Sequence, residues 1–323
     1  MGDVKHQWGV GEQVDWDTPI TPNRFFEFVS ETHQHERNIA VSQGIRSGRK
    51  YGGQGRRETR RWATGTLNTE VATSGFGLFF KHLLGDVATV EDEVGDAWTH
   101  TFTPDSAALV DTGLTLQKGV MRFDRTVEQF TYPGSKVVSA DFSIDQDGLL
   151  MCSFEFLSRE EETTTALASA SYATPKIFTY SEGAVKVDSV TMANVRSVGS
   201  LQIGNNLEQR WFLGSQGLMS EPVNVPFDTL AGNLDVEFQN NTDFYDLFIA
   251  DTSAELVLEF VGDIIAGTTS ETLRITIADT RFEGETPKVG GTELVYQGVP
   301  FIGLDPATGA AVTIEYTTDT ALP

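Results

Sequence analysis

The sequence has very few of the residues that build disulfides or metal clusters. Cys152 is the one cysteine among 323 residues, which excludes disulfide frameworks and thiolate clusters. Because it alternates with Phe154 and Phe156 in a strand-like run, we expect it to be a buried small side chain. Of five histidines, only His33 and His35 form a close pair, and no third zinc ligand accompanies them. We therefore expect no metal and no cofactor.

Long apolar runs are also missing. No run approaches the roughly eighteen apolar residues of a membrane span, so we expect no membrane association. Residues 1–20 lack the basic and apolar regions of a secretory signal, which favours assembly in the cytoplasm of the producing cell. No nucleophile-elbow, metalloprotease or phosphate-loop motif occurs, and with 46 acidic residues a chance carboxylate pair is uninformative. The sequence predicts a protein that is not an enzyme.

Positive charge is scarce and unevenly placed. The net charge is -23, yet seven of the 23 basic residues fall within residues 44–65, where Glu58 is the one acid. These seven are Arg46, Arg49, Lys50, Arg56, Arg57, Arg60 and Arg61. Setting aside the +6 of this segment leaves -29 on the rest, a surface that repels nucleic acid. Adaptation to high salt and simple solubility explain the acidic composition equally well.

Strand signals dominate what the sequence does contain. Short runs rich in Val, Ile, Thr and Phe are separated by Gly, Asp and Asn about every ten residues. Within residues 137–158, Asp147 and Gly148 form the pair that a tight hairpin turn prefers. The sequence therefore predicts a mainly β fold, with a hairpin here that buries one face.

Helical periodicity is confined to two short segments, residues 74–86 and 240–252. The expected caps are Ser74 with Gly85 as the stop in the first, and Asn240, Asn241 or Thr242 in the second. Their apolar positions are Phe76, Phe79, Phe80 and Leu83 in the first segment and Phe244, Leu247 and Phe248 in the second. Each segment predicts an amphipathic helix of two to three turns that covers one face of a sheet.

The residues around these helices indicate an internal duplication. Gly65-x-Leu67-x-x-Glu70 precedes the first helix and Gly232-x-Leu234-x-x-Glu237 the second. Residues 153–156 match 313–316 in a final hairpin, so Glu155 and Glu315 face away from the core in both halves. Residues 159–175 have a linker composition. We predict two β modules, residues 1–165 with an N-terminal arm and a long basic loop (44–62), and residues 175–323.

The basic loop has three interpretations. Its five glycines forbid a regular helix, and Tyr51 is its only aromatic residue before Trp62, which disfavours a nucleic-acid site. A flexible basic loop on an acidic body fits the acidic surface of another copy, and such head-to-tail contacts generate rings or stacks. A nucleic-acid site and a solvated loop remain the alternatives to this docking role.

The order of several segments resembles the tail tube proteins of long-tailed phages and related archaeal viruses. The resemblance covers nearly the whole chain and is carried more by order than by identity. Besides the arginine-bearing loop, the first helix with its preceding motif, and the hairpin, the segments that carry it are residues 8–11, 17–19, 25–28, 98–102, 114–116, 132–134 and 201–206.

This resemblance implies two tandem tail-tube-like modules, each a β-sandwich or barrel with a short flanking helix. It implies a virion tail protein whose partner is itself, in rings that stack into a hollow tube. Three two-module chains would give a pseudo-sixfold ring, with a hexamer as the alternative. Further implied partners are a tape-measure protein, tail-tip and terminator proteins, and viral DNA, which passes through the lumen without specific binding.

Within that picture the charged residues acquire expected roles. The segment from Arg46 to Arg61 becomes an inter-ring docking loop, and Glu155 and Glu315 line either an acidic lumen or the outside. Two rivals stay open: a tail-tip or baseplate ring protein of the same module, and a soluble carbohydrate-binding β-sandwich with exposed aromatics.

Overall fold

The protein is built mainly from antiparallel strands, as the sequence predicts. The computed structural model describes residues 4–48, 50–51, 55–93 and 95–321. The strands of the first half are β1 (Gln7–Gln13), β2 (Arg24–Phe25), β3 (Ser30–Glu31), β4 (Gln34–Val41), β5 (Arg56–Glu70), β6 (Gly85–Glu93), β7 (Ala97–Pro104), β8 (Gly113–Met121), β9 (Val127–Ile144) and β10 (Met151–Ser158).

The second half contributes ten more strands. They are β11 (Gly183–Val187), β12 (Val190–Thr191), β13 (Val195–Gly204), β14 (Leu207–Arg210), β15 (Ser220–Asn224), β16 (Thr229–Glu237), β17 (Ala254–Ala266), β18 (Thr269–Phe282), β19 (Tyr296–Leu304) and β20 (Val312–Thr318). The helices are α1 (Gly77–Leu84) and α2 (Tyr245–Ala250), with a 3₁₀ turn at Tyr180–Glu182. Apart from the small β14–β15 ribbon, the described strands form one continuous sheet.

This sheet folds into two layers that meet at β18. Layer A has the strand order β4-β5-β10-β9-β13-β16-β19-β18. Layer B has the order β12-β11-β17-β18-β20-β7-β6. The N-terminal half of β9 also pairs with β8, which carries β1 and β2 over the core of the first half. Such a pair of layers is a β-sandwich.

Helix α1 fills the space between the two layers. The ring of Phe80 lies 6.1 Å from Phe142 and 6.4 Å from Phe154 in layer A. On its other side the same ring lies 5.8 Å from Phe102 and 5.6 Å from Tyr316 in layer B. Strand β10 thus lies in layer A and β20 in layer B. Because side chains alternate along a strand, those that point away from the core on β10 and on β20 lie on the outer faces of different layers.

The two halves of the chain share one hydrophobic core. Strand β9 pairs with β13 in layer A, and β7 pairs with β20 in layer B, so both layers cross from one half to the other. The connecting residues 159–175 run along the first half, where the side chain of Gln117 bonds to the backbone of Ala166 and Ala168. The buried Tyr316 hydroxyl donates to the Ala72 carbonyl at 2.7 Å.

The predicted hairpin at residues 137–158 is confirmed. Strands β9 and β10 pair in antiparallel register, and the Gly148 amide donates to the Asp145 carbonyl across the turn. Cys152 and its alternating phenylalanines are buried, as predicted. Burial raises the pKa of the Cys152 thiol, so this side chain stays neutral and apolar.

The helix caps and the predicted amphipathic character are corrected by the structure. Helix α1 begins after Phe76 rather than Ser74, while Gly85 ends it with a φ of 106°, a backbone angle that favours glycine. Helix α2 begins after Phe244, because Asn240 instead accepts the amides of Thr242 and Asp243 in a turn before the helix. α1 is enclosed on all sides except at Lys81, whereas α2 is a six-residue surface helix.

The proposed final hairpin of the second half is wrong. Strands β19 and β20 do not pair with each other, and both lie against β18, separated by residues 305–311. The repeated glycines identify a different counterpart for β10. Gly65 lies opposite Phe156 in β10, and Gly232 lies opposite Phe301 in β19. Strand β19 therefore occupies the place of β10. Residues 153–156 and 313–316, which match in sequence, lie in strands of different layers and are not structural counterparts.

The core of the first half contains a titratable group without a partner. The His33 ring packs against the rings of Trp8, Tyr132 and Phe156, and neither ring nitrogen has a hydrogen-bond partner among the described residues. Burial, with the nearby charge of Lys118, lowers the pKa of His33 to about 3. His35, two residues further along, is exposed, so the two rings lie in different surroundings.

We predict that His33 makes the protein acid-sensitive. The unfolded chain binds a proton near pH 6.5, whereas the folded one does not until about pH 3, so stability falls as pH drops through this window. When the pH falls from 7 to 5, the free energy of unfolding measured in urea should drop by about 2 kcal/mol less for His33→Phe than for the original chain. His35→Phe is the exposed control, and equal pH dependence in all three proteins would contradict the assignment.

Candidate assembly surfaces

A two-stranded arm projects from layer A. Residues 37–41 of β4 and 56–61 of β5 pair with each other, and among the described residues no third strand joins them. Most of their side chains are exposed, including Val41 and the tip residues Ile45 and Tyr51. An isolated two-stranded ribbon is marginally stable in water, so the arm gains from any surface that covers it.

Four of the basic residues predicted to dock are exposed on this arm. Arg46 and Lys50 lie in its tip, and Arg56 and Arg57 lie at the start of β5. Arg49 lies outside the described residues. The predicted loop of residues 44–62 is corrected, because from Arg56 onward the chain is a strand. The five glycines of residues 44–62, which favoured a loop, all precede this strand in the sequence.

Arg60 and Arg61 have partners within the same chain. The Arg60 guanidinium lies over the ring of Trp211 at 4.7 Å. The Arg61 side chain bonds to Glu58 and lies 3.5 Å from Glu160, and its amide donates to the Gly217 carbonyl. These contacts fix the root of the arm rather than leaving both residues free to dock.

The surface that receives the arm root is a segment we call the insert, residues 205–228. It contains the β14–β15 ribbon and connects β13 to β16, as the arm connects β4 to β5. The Trp211 ring packs against Trp62 at 5.6 Å, and Glu221 pairs with the buried Lys136 at 2.6 Å. Trp211 had no sequence signal, because its partner is more than a hundred residues away.

The opposite end of layer A is acidic. Strands β5, β10 and β16 run from the arm and the insert at one end to the turn after β9 and the loops around α2 at the other. We call that other end the acidic edge: Asp145, Asp147, Glu237, Asp243, Asp246, Glu283, Glu285 and Glu293. The basic tip of the arm and this acidic cluster therefore lie at opposite ends of layer A.

Glu155 and Glu315 face away from the core, but on different layers. Glu155 lies on the outward face of layer A, beside Ser139 and Thr66 on the adjacent strands. Glu315 lies on layer B and accepts a bond from Arg274 at 2.8 Å. Arg274 also donates to Glu259. Burial acts to raise the pKa of Glu259, but the hydrogen bonds and positive charges of Lys186 and Arg274 outweigh it, so the pKa is lowered. The two glutamates therefore point in different directions.

The predicted helix residues serve the core unequally. Phe76, Phe79, Phe80 and Leu83 are all buried between the layers. In the second half Phe244 is buried against Phe282 at 5.2 Å, whereas Leu247 and Phe248 are only half-buried on the surface helix.

The fold defines a class: a β-sandwich of two layers in which, among the described residues, the edge strand β4 is paired on one side only. The chain belongs to the phage tail tube family, because the family described as "Phage tail tube protein" matches residues 5–303. It is thus a structural protein of the virion tail that assembles with itself and other tail components. A comparison with individually curated proteins gave no match.

In the part of the chain that the structure describes, no helix is long and apolar enough to cross a membrane. Among the same residues, no group of three or more His, Cys, Asp or Glu side chains is placed to hold a metal ion.

We predict that the four arginines of β5 divide into two pairs. Arg60→Ser with Arg61→Ser should lower the unfolding free energy by about 1–2 kcal/mol, because a cation–π contact and two ion pairs are lost. Arg56→Ser with Arg57→Ser removes the same charge and should change it by less than about 0.5 kcal/mol. Equal losses in urea unfolding of the two double variants would show that the arm root is not held by these contacts.

Proposed function

We propose that this protein forms rings that stack into the tail tube through which viral DNA leaves the capsid. The observation that carries this proposal is the repeated order of strands in layer A. The first half supplies β4-β5-β10-β9 and the second supplies β13-β16-β19-β18, joined by the β9–β13 pair. A layer made of two equal units can continue into further copies of the same unit.

Closure of the ring follows from this repeat. Three chains would place six four-strand units around an axis, which supports a homotrimer with pseudo-sixfold symmetry over a hexamer. Closing the layer on itself would remove the exposed strand edges that otherwise promote uncontrolled aggregation. Layer B supports closure less well, because the first half gives it two strands and the second half five.

The outward face of layer A suits a DNA channel. Across the strands it presents small polar side chains, of which Ser139, Ser153 and Gln202 are examples, together with Glu155 and Asp141. Acidic and neutral side chains do not neutralise phosphates, so DNA would slide past them without binding. We therefore assign Glu155 to the lumen and Glu315 to the outer side of the tube.

Stacking follows from the separation of charge between the two ends. The arm carries Arg46, Lys50, Arg56 and Arg57 at one end, and the acidic edge lies at the other. Rings stacked head to tail would bring each arm onto the acidic edge of the next ring, a heterologous contact that repeats without limit. The counterpart of the arm tip, residues 215–229, has no basic residue, so the two halves would dock differently.

The tape-measure, terminator and tail-tip proteins would then bound this stack, and assembly would take place in the host cytoplasm. A tail-tip ring protein of the same fold is the second candidate, and the arm favours a repeating stack over it. The carbohydrate-binding alternative is less well supported, because Trp16 is buried and Trp62 and Trp211 pack against each other instead of lining an open face.

Electron microscopy of the purified protein tests this function directly. We expect hollow tubes or rings with threefold features in end-on views. The Arg56→Ser/Arg57→Ser variant should give rings but few stacks, and high salt should act in the same direction because it screens these contacts.

Arg122→Ser with Arg125→Ser is the matched control, since it removes the same charge from the exposed tip between β8 and β9. This control should still form tubes. A protein that stays monomeric at high concentration would refute the tube, and normal tubes from the Arg56/Arg57 variant would refute the role of the arm.

A further inference from the structure

One edge of layer A lacks a strand that the internal repeat calls for. His33 lies against Gly65 of β5, as Leu201 lies opposite Gly232 of β16, so β4 and β13 hold equivalent places. Strand β13 has both edges paired, with β16 on one side and β9 on the other. Within the described residues, β4 pairs only with β5.

The second half of the chain contains a strand that would fill this edge of β4, namely the continuation of β18. Strand β9 pairs with β10, which pairs with β5; in the same way β18 pairs with β19, which pairs with β16. The neighbouring β17 accompanies β18 only as far as Thr280. From Arg281 onward the edge is therefore open, and the Glu283 amide still donates to the Pro300 carbonyl at 2.7 Å.

The chain beyond β18 has the properties of a segment that could bind another chain: it is exposed and has no regular secondary structure. Residues 283–295 form no helix or strand, and nearly all of them are exposed. Three glutamates and one lysine make this segment acidic. Val289 and Leu294, two of its large apolar side chains, are 79% and 65% exposed.

We propose that residues 281–285 of one copy pair as a strand with residues 34–38 of β4 in the next copy. This inference rests on the proposed ring and names the contact that closes it. The register of β9 with β13, transferred to the repeat, places Gly284 beside His35 and Phe282 beside Arg37.

The register would also bury an exposed apolar side chain of the segment. Beyond the ladder, Val289 would pass beside Ser30, the residue after the stretch 23–29 that lines a cavity of about 630 Å³ together with connecting residues between 171 and 177. Phe25, Phe28 and Tyr172 line this cavity. The same contact would thus satisfy backbone groups at a sheet edge and bury an exposed apolar side chain.

Disulfide trapping tests the pairing. His35→Cys combined with Gly284→Cys should link neighbouring copies on oxidation, because opposite Cβ atoms on paired strands lie about 5 Å apart. Both changes are mild: His35 is exposed, and a Cβ at Gly284 meets nothing within 4 Å. The native Cys152 is buried and does not compete.

His35→Cys with Gly290→Cys is the control, since Gly290 lies in the same segment and is equally open but six residues further along. Denaturing gels should show linked dimers and trimers at least about fivefold more abundant for 35/284 than for 35/290, given the steep distance dependence of disulfide formation. Equal linking of both pairs, or rings without any link, would overturn this contact while leaving the tube intact. Failure to form rings or tubes under any condition would overturn the tube itself.

Discussion

The pairing of β9 with β13 is the interaction on which the rest of the structure depends. It joins two four-strand units into one layer, and it forces both halves to share a core around α1. Because this pair joins a strand of each half, layer A continues without a break from the first half of the chain into the second. The described edge of β4 and the open end of β18 are what this arrangement leaves unpaired.

The second constraint is the anchoring of the arm. A ribbon of two strands has little stability of its own, and here its root is held by the insert of the other half. The stacking of Arg60 on Trp211 and the backbone bond of Arg61 to Gly217 restrict the directions in which the arm can point. A pre-oriented arm loses less conformational entropy when it meets a partner, so these contacts favour association without touching the partner.

How much of this the sequence could predict depended on the range of each interaction. The β9–β10 hairpin, the buried Cys152 and the end of α1 at Gly85 were correct, since each follows from neighbouring residues. The helix starts were wrong, because Ser74 and Asn240 offer local caps that packing overrode. The match of Glu155 with Glu315 failed for a similar reason: the two segments have the same alternation, and alternation does not say which layer a strand joins.

The arm shows why charge composition alone could not define the assembly site. Seven basic residues in one segment predicted a single docking loop. In the structure, the described ones form two groups: four are exposed on the arm, whereas Arg60 and Arg61 are held by contacts within the chain. The determining residue, Trp211, lies in the other half and is distinguished only by its position in space. Under the duplication that we propose, the β9–β13 pair is the pattern for the contact between copies: β9 covers one edge of β13, and the equivalent edge of β4 has no partner among the described residues.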